Sequence, residues 1–292
     1  MSHVKGGLVI LKDLLHSLPP SEQKIAQYIL DNPEESILLT AAALGRRSQT
    51  SSAAVIRLCK SVGFSSFQEL KIRVSGDLRE KTSIGYRDIE PNEDYRNIID
   101  KVTSNTIQAL KETVDIMNVG SLEKAVDALT NAKSIIFIGF GASYLAALDA
   151  EQKFLRIAKQ TNSFSDVHSA ATSIANKGKG DVVVGISFSG NTQEVTKLLE
   201  LAQQKKATTI SISKYGNSIV ADLSDIQLHT SAAREATFRS GATSSRIAQL
   251  HIIDILFMCV ASEEYDRTIK HLDETREAIS FIKEESSIKR KK

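Results

Sequence analysis

The sequence predicts an all-α domain followed by an α/β domain with a mainly parallel sheet, and three observations carry that. From Met1 to about Asp77 apolar residues recur at helical spacing and no strand pattern interrupts them. From Val119 to about Ser262 short apolar runs alternate with helical stretches, the order that builds a parallel sheet. Two of those runs pass through loops of small residues straight into a helix. The expected boundaries are 1–77 for the helical domain, 78–118 for a linker and connecting helix, 119–262 for the α/β domain, and 263–292 for a C-terminal helix and basic tail.

Length and composition narrow the class. A chain of 292 residues makes one large domain or two. Hydrophobic content of 41% and charged content of 25% are ordinary for a globular protein. Net charge is only +2, too little to imply a polyanionic partner. Its distribution says more, because Arg46 to Arg73 holds six basic residues (Arg46, Arg47, Arg57, Lys60, Lys71, Arg73) against the single acid Glu69. Cys59 and Cys259 sit inside helical apolar patterns, as small buried hydrophobes do. No disulfide framework, metal-ligand spacing or cofactor is indicated. There is no signal-peptide pattern, and no apolar run approaches the ~18 residues of a membrane span, so a cytoplasmic protein without membrane partners is expected.

The elements of the first domain follow in order. Ser21 is read as the cap of a helix whose stripe is Ile25, Tyr28 and Ile29, closed by Asp31-Asn32-Pro33. Glu34 to Leu39 is a short helical piece. Thr40 caps Ala41 to Arg47, and Ser48-Gln49-Thr50 breaks it. Ser51 or Ser52 caps the next helix, whose Val55, Leu58, Cys59 and Val62 lie at i, i+3, i+4, i+7. Gly63-Phe64 ends it, and Phe67 starts another.

Two short helices joined by a tight turn are the helix-turn-helix plan, whose second helix enters the major groove. The DNA-facing set is then Arg46, Arg47, Ser48, Gln49, Thr50, Ser51, Ser52, Ala53, Arg57 and Lys60. The basic members meet phosphates or guanine, and the small ones allow close approach. A plain helical bundle with solvated charges fits the pattern too. The stretch Leu44 to Lys71 resembles the N-terminal helix-turn-helix domain of the RpiR family of bacterial transcription regulators, on Leu44, Ser51, Val55, Arg57, Cys59, Lys60, Gly63-Phe64 and Phe67 through Lys71. It departs at Gly45, Thr50 and Ala54, where that family commonly has alanine, valine and threonine. Gly45 is expected to cost the helix about 1 kcal/mol against alanine, and Ala54 to lack a hydroxyl for DNA.

The polar stretch from Arg79 to Asn92 separates the domains. Glu93 to Met117 is helical, and Ser121 is read as the cap of Leu122 to Asn131. Strands follow at Ser134–Gly139, Asn162–Phe164, Asp181–Ser187, Ala207–Ser213 and Ile226–Thr230. Gly139-Phe140-Gly141-Ala142-Ser143 and Ser187-Phe188-Ser189-Gly190-Asn191-Thr192 each join a buried-type strand to a helix. Helix starts present unpaired N–H groups, and ligands of parallel sheets lie beyond the carboxyl ends of strands. Two such loops on one sheet edge favour a phosphorylated ligand. Gly139 and Gly141 are half of a dinucleotide G-x-G-x-x-G, but its sixth position is Tyr144.

The block from about Val119 to Ala261 resembles the SIS (sugar isomerase) domain, which binds phosphosugars. That resemblance assigns Ser143, Ser187, Ser189 and Thr192 to the phosphate and sugar hydroxyls, with Gly141, Ala142, Gly190 and Asn191 completing the two loops. The wording of Ala233 to Asp254 is similar to the family branch that responds to N-acetylmuramic acid 6-phosphate; there Glu235, Arg239, Ser240 and Arg246 are ligand candidates or surface salt-bridge partners. A helix-turn-helix followed by a SIS domain is the RpiR architecture. The resemblance therefore implies a homodimer or homotetramer that binds a double-stranded DNA operator under control of a phosphosugar effector.

Two other functions compete with that regulator. A sugar-phosphate isomerase or etherase needs a positioned base, and Glu151, Glu235, His168, His229 and His251 show no catalytic spacing, so no catalytic residue is assigned. A ligand sensor acting through a protein partner fits the departures at Gly45, Thr50 and Ala54.

Overall fold

The computed structural model describes residues 6–78, 89–216, 218–232 and 242–288. By contacts the chain forms two units. The first is Met1–Met117 with Lys214–Ser218 and His229–Ala248; the second is Asn118–Ser213, Ile219–Leu228 and Gln249–Lys292.

In the first unit, helices α1 (Gly7–Leu14), α2 (Pro20–Asp31), α3 (Pro33–Ser36), α4 (Ala41–Arg47), α5 (Ser52–Ser61), α6 (Phe67–Leu78) and α7 (Tyr95–Ile116) follow one another. They share a core of Ile10, Leu11, Ile25, Leu44, Leu58 and Leu70, among others. α2 starts at Pro20 with Pro19 as its N-cap, two residues before the predicted cap Ser21; proline suits a first turn because it has no N–H to leave unpaired. Thr40 and Ser51 cap α4 and α5 as predicted, accepting from the Ala43 and Ala54 N–H groups. Cys59 is buried, which pushes its thiol up to about 11 and keeps it protonated.

α4 and α5 are held close at Gly45. A Cβ there would lie 2.8 Å from the Ser51 carbonyl carbon and 2.9 Å from the Ser52 nitrogen. The glycine that looks costly by helix propensity is thus the residue that lets the two backbones approach. Tyr215 belongs to the same unit and donates its hydroxyl to the Val62 carbonyl at the end of α5, at 2.9 Å. Asp13 on α1 accepts the Ala232 N–H at 2.9 Å. Burial, with Glu112 nearby, raises its pKa to about 7.

The second unit holds α8 (Val119–Thr130), β1 (Ile135–Gly139), α9 (Ala142–Leu155), β2 (Thr161–Phe164), α10 (Val167–Ala175), β3 (Val182–Ile186), α11 (Gln193–Gln204), β4 (Thr208–Lys214), α12 (Ile219–Asp222), β5 (Ile226–Thr230), α13 (Ser244–Glu263) and α14 (Tyr265–Ile288); its few boundary residues assigned to the first unit are those named above. The strands form one parallel sheet in the order β2-β1-β3-β4-β5. β1 and β3 are fully buried, which explains their unbroken apolar runs. α8 begins at Val119 and its cap is Asn118, whose side chain accepts the Ser121 N–H, so Ser121 is a first-turn residue and not the cap.

α13 is long and apolar enough, by length and composition, to cross a membrane, and about half of its apolar stretch is buried in the protein. The sequence shows no apolar run of that length because polar Gln249, His251 and Asp254 interrupt the apolar letters. Ile252, Ile253 and Leu256 are core residues, whereas Met258 is exposed.

Candidate functional site

The sheet order places both small-residue loops together. β1 pairs with β2 on one side and β3 on the other, so the chain reverses its winding between β1 and β3. That reversal is where a doubly wound sheet opens a crevice at the carboxyl ends of its strands. Gly139, the last residue of β1, lies in register with Ile186, the last of β3. The loops 140–141 and 187–192 therefore leave neighbouring strands at one level.

Each loop is shaped by glycine. A Cβ on Gly139 would come within 2.7 Å of the Ser143 carbonyl oxygen, so only glycine lets α9 begin this close to β1. Gly141 adopts φ 57° and ψ −127° as the N-cap of α9, a backbone region open mainly to glycine. Gly190 turns the second loop at φ 72°.

The polar groups of the second loop are organised among themselves. Ser187 is buried; its hydroxyl pairs with that of Thr192 at 2.7 Å and accepts the Gly190 N–H at 3.2 Å. The Ser189 hydroxyl accepts the Asn191 N–H at 3.3 Å. Thr192 stands at the N-cap of α11, yet its side chain is turned to Ser187 and does not cap the helix. α9 also lacks a side-chain cap, whereas α8 and α10 are capped by Asn118 and Asp166. Two uncapped helix starts at one crevice leave partial positive charge facing it. That arrangement suits an anion such as a phosphate.

Ser143 is completed from far along the chain. Its Oγ accepts a hydrogen bond from Gln249 Nε2 on α13 at 3.1 Å. Gln249 was not singled out from sequence, since a lone glutamine inside an apolar helix carries no local signal. Arg246 lies in the first turn of α13 and is half-buried. Glu235, Arg239 and Ser240 lie outside the described residues.

In the helix-turn-helix, Arg46, Gln49, Ser51, Ser52, Ala53, Arg57 and Lys60 are exposed. Ser48 is not. It is 7% exposed, and its hydroxyl donates to the Leu44 carbonyl at 2.8 Å and pairs with Thr50 at 3.0 Å, so it stabilises the turn and is not offered to DNA. Ala54 is 1% exposed, so a hydroxyl there faces the core and its absence removes no DNA contact. Gln49 takes a left-handed φ of 54° to reverse the chain. Arg57 pairs with Glu22 at 3.8 Å, a carboxylate 5% exposed, and Arg47 pairs with Glu35 at 3.4 Å. Arg47, Ser48 and Gln49 also border a cavity of about 500 Å³ that takes in His16 and Lys24, two polar residues the sequence pattern did not bring forward.

Of the candidates for acid–base chemistry, Glu151 and His229 have other partners. Glu151 accepts a short hydrogen bond from Ser163 on β2. His168 is exposed on α10, and His229 packs edge-on against Tyr215 at 5.3 Å. Among the described residues no group of three His, Cys, Asp or Glu is placed to hold a metal.

Two family models match the chain: the helix-turn-helix domain of the rpiR family over residues 5–81 and the SIS domain over 128–259. The HTH-type transcriptional regulator YbbH of Bacillus subtilis is 48% identical, over 95% of this chain and 98% of its own length. An HTH-type transcriptional regulator of Caldanaerobacter subterraneus is 41% identical, over 94% and 98%. Among solved structures, the Vibrio vulnificus NanR protein complexed with ManNAc-6P is 26% identical, covering 94% of this chain and 98% of that one, with a TM-score of 0.60.

Proposed function

The chain belongs to the rpiR family of helix-turn-helix proteins that carry a SIS domain, and from that premise we propose that it is a DNA-binding transcription regulator controlled by an amino-sugar 6-phosphate. The observation that carries the effector half is the pair of uncapped helix starts, α9 and α11, at the winding reversal of the sheet. N-acetylmuramic acid 6-phosphate is the first candidate. The wording of Ala233 to Asp254 supports it, and so does the likeness to NanR in complex with ManNAc-6P, another N-acetylated hexosamine phosphate. The DNA half rests on α4, the turn and α5, with Arg46, Ser51, Ser52, Ala53 and Lys60 on the exposed face. Helix-turn-helix proteins read paired half-sites about one turn apart, so the working form is a homodimer or homotetramer on a double-stranded operator, in the cytoplasm.

Regulation of this kind is differential binding. The effector shifts operator affinity only by as much as it prefers one state of the protein. The competing reading is an isomerase or etherase, favoured by the existence of enzymes with the SIS fold. Thermal unfolding against N-acetylmuramic acid 6-phosphate, N-acetylglucosamine 6-phosphate, glucose 6-phosphate and ribose 5-phosphate tests the proposal. The amino-sugar phosphate at a hundred times its dissociation constant adds ~2.7 kcal/mol. Operator affinity then changes with the same compound, and the compound is recovered unchanged. Its conversion to another sugar phosphate selects the enzyme, and no shift with any compound removes the phosphosugar sensor.

A further inference from the structure

We propose that Gln249 is a positioning residue for the phosphosugar, acting through Ser143; the inference rests on the reading of the two loops as a phosphosugar site. Gln249 is 1% exposed and lies on α13, 106 residues away from the serine it touches. A serine hydroxyl offers one proton and two lone pairs, and a primary amide nitrogen only donates. With Nε2 donating to Oγ at 3.1 Å, one lone pair of Ser143 is occupied. That hydroxyl makes no other hydrogen bond among the described residues. Its proton is therefore kept off Gln249 and free for an acceptor at the mouth of the crevice, and the oxygen is held at a fixed point above the start of α9. A bound phosphate oxygen is such an acceptor. Charge-assisted hydrogen bonds of this type are about twice as strong as neutral ones, and a hydroxyl already aimed at the anion loses no rotamer freedom when it binds.

The second loop has no counterpart to this arrangement. Ser187, Ser189 and Thr192 hold one another, so their hydroxyl protons can be shared within the cluster until a ligand arrives. Ser143 has no hydroxyl partner of that kind among the described residues, and Gln249 takes that place. The side chain also has to be a donor: an acceptor at the same position captures the serine proton and turns it away from the ligand.

The test is calorimetric titration of the full chain with N-acetylmuramic acid 6-phosphate and N-acetylglucosamine 6-phosphate, with each variant's melting followed in parallel. Gln249→Met keeps the volume, removes the donor and weakens binding about tenfold. Ser143→Ala weakens it at least as much, and the double variant binds no more weakly than Ser143→Ala alone, because Gln249 acts through that hydroxyl. Additive losses in the cycle overturn the proposal, and so does a Gln249→Met protein that binds as wild type does. Gln249→Glu supplies a readout that a purely structural role does not move. Ionised, it accepts the Ser143 proton and binding is lost; protonated, it donates as the amide does. Measured against wild type at each pH, affinity of Gln249→Glu recovers as pH falls, and a constant ratio sinks the inference even if Gln249→Met fails to fold. If wild type binds neither sugar phosphate while remaining folded, the phosphosugar reading itself has failed and the inference falls with it.

Discussion

Side-chain caps close some helix starts in each unit and leave others open, but in the second unit two open starts meet at one edge of the sheet. In the first, α4 and α5 are closed by their own Thr40 and Ser51 side chains. In the second, α8 and α10 are closed in the same way by Asn118 and Asp166, but α9 and α11 are left without a side-chain cap. The residue types do not separate the two kinds. Thr40 and Thr192 are both threonines in front of a helix; one turns its hydroxyl to its helix, and the other turns it to Ser187. A cap completes the fold and closes the helix start to ligands. An uncapped start at the carboxyl edge of a parallel sheet gives up that stabilisation, typically about 1 kcal/mol, and keeps N–H groups for an anion. The first unit has uncapped starts as well, at α1, α2 and α3, but none of them follows a strand at a sheet edge.

The largest test of that contrast is the most expensive internally satisfied group, Asp13. Its folded pKa is about 7, above the ~3.9 of an unfolded aspartate. Between those values the folded protein keeps a proton that the unfolded chain has lost. Stability is therefore fullest below about pH 4, falls as pH rises through 7, and is flat above it. The shift corresponds to at most ~4 kcal/mol. Asp13→Asn keeps an acceptor for the Ala232 N–H and removes that slope, so urea unfolding at pH 5 and pH 8 differs less than in wild type. An unchanged pH dependence puts the burial of Asp13 in doubt.

Next in size is Gly45→Ala. Propensity alone has alanine stabilising α4 by about 1 kcal/mol. The contact at 2.8 Å with Ser51 predicts the opposite sign, a loss of ~1–3 kcal/mol in denaturant unfolding.

Asp166→Ala and Thr192→Val bear on the capped and uncapped starts directly. Losing the Asp166 cap costs ~1 kcal/mol of stability and leaves sugar-phosphate affinity where it was. Thr192→Val loses no helix cap but does lose the buried pair with Ser187, so it costs about 1 kcal/mol of stability too, and it lowers affinity about tenfold. Equal behaviour of the two variants erases the distinction.

Arg46→Ala is expected to have the smallest effect on stability, within ~0.5 kcal/mol. It reduces operator affinity, and the salt slope of binding drops by about one. Arg57→Ala is a poorer probe of DNA contact than its exposure suggests, because it also leaves the buried Glu22 carboxylate without its cation.

How far the sequence reaches can be seen at single residues. The Ser187–Thr192 loop was legible because its hydroxyls sit within six residues, and their mutual bonds are local. The strands were legible because burial on both faces leaves an unbroken apolar run. Ser48 and Ala54 were misplaced at the DNA surface because a one-residue change of helical phase moves a side chain from solvent to core. Gly45 was read as a weakness because a close backbone approach leaves no trace in the glycine's own letters.

Local chemistry thus determined, from sequence alone, the element types, two of the caps and the glycine-bearing loops, since each depends on neighbours a few residues apart. Tertiary structure decided which helix starts stay open, which serine of the turn is hidden, and that Gln249 stands over Ser143. Those outcomes depend on the order in which strands join the sheet and on contacts spanning tens to more than a hundred residues, where side-chain spacing along the chain carries no information about distance in space.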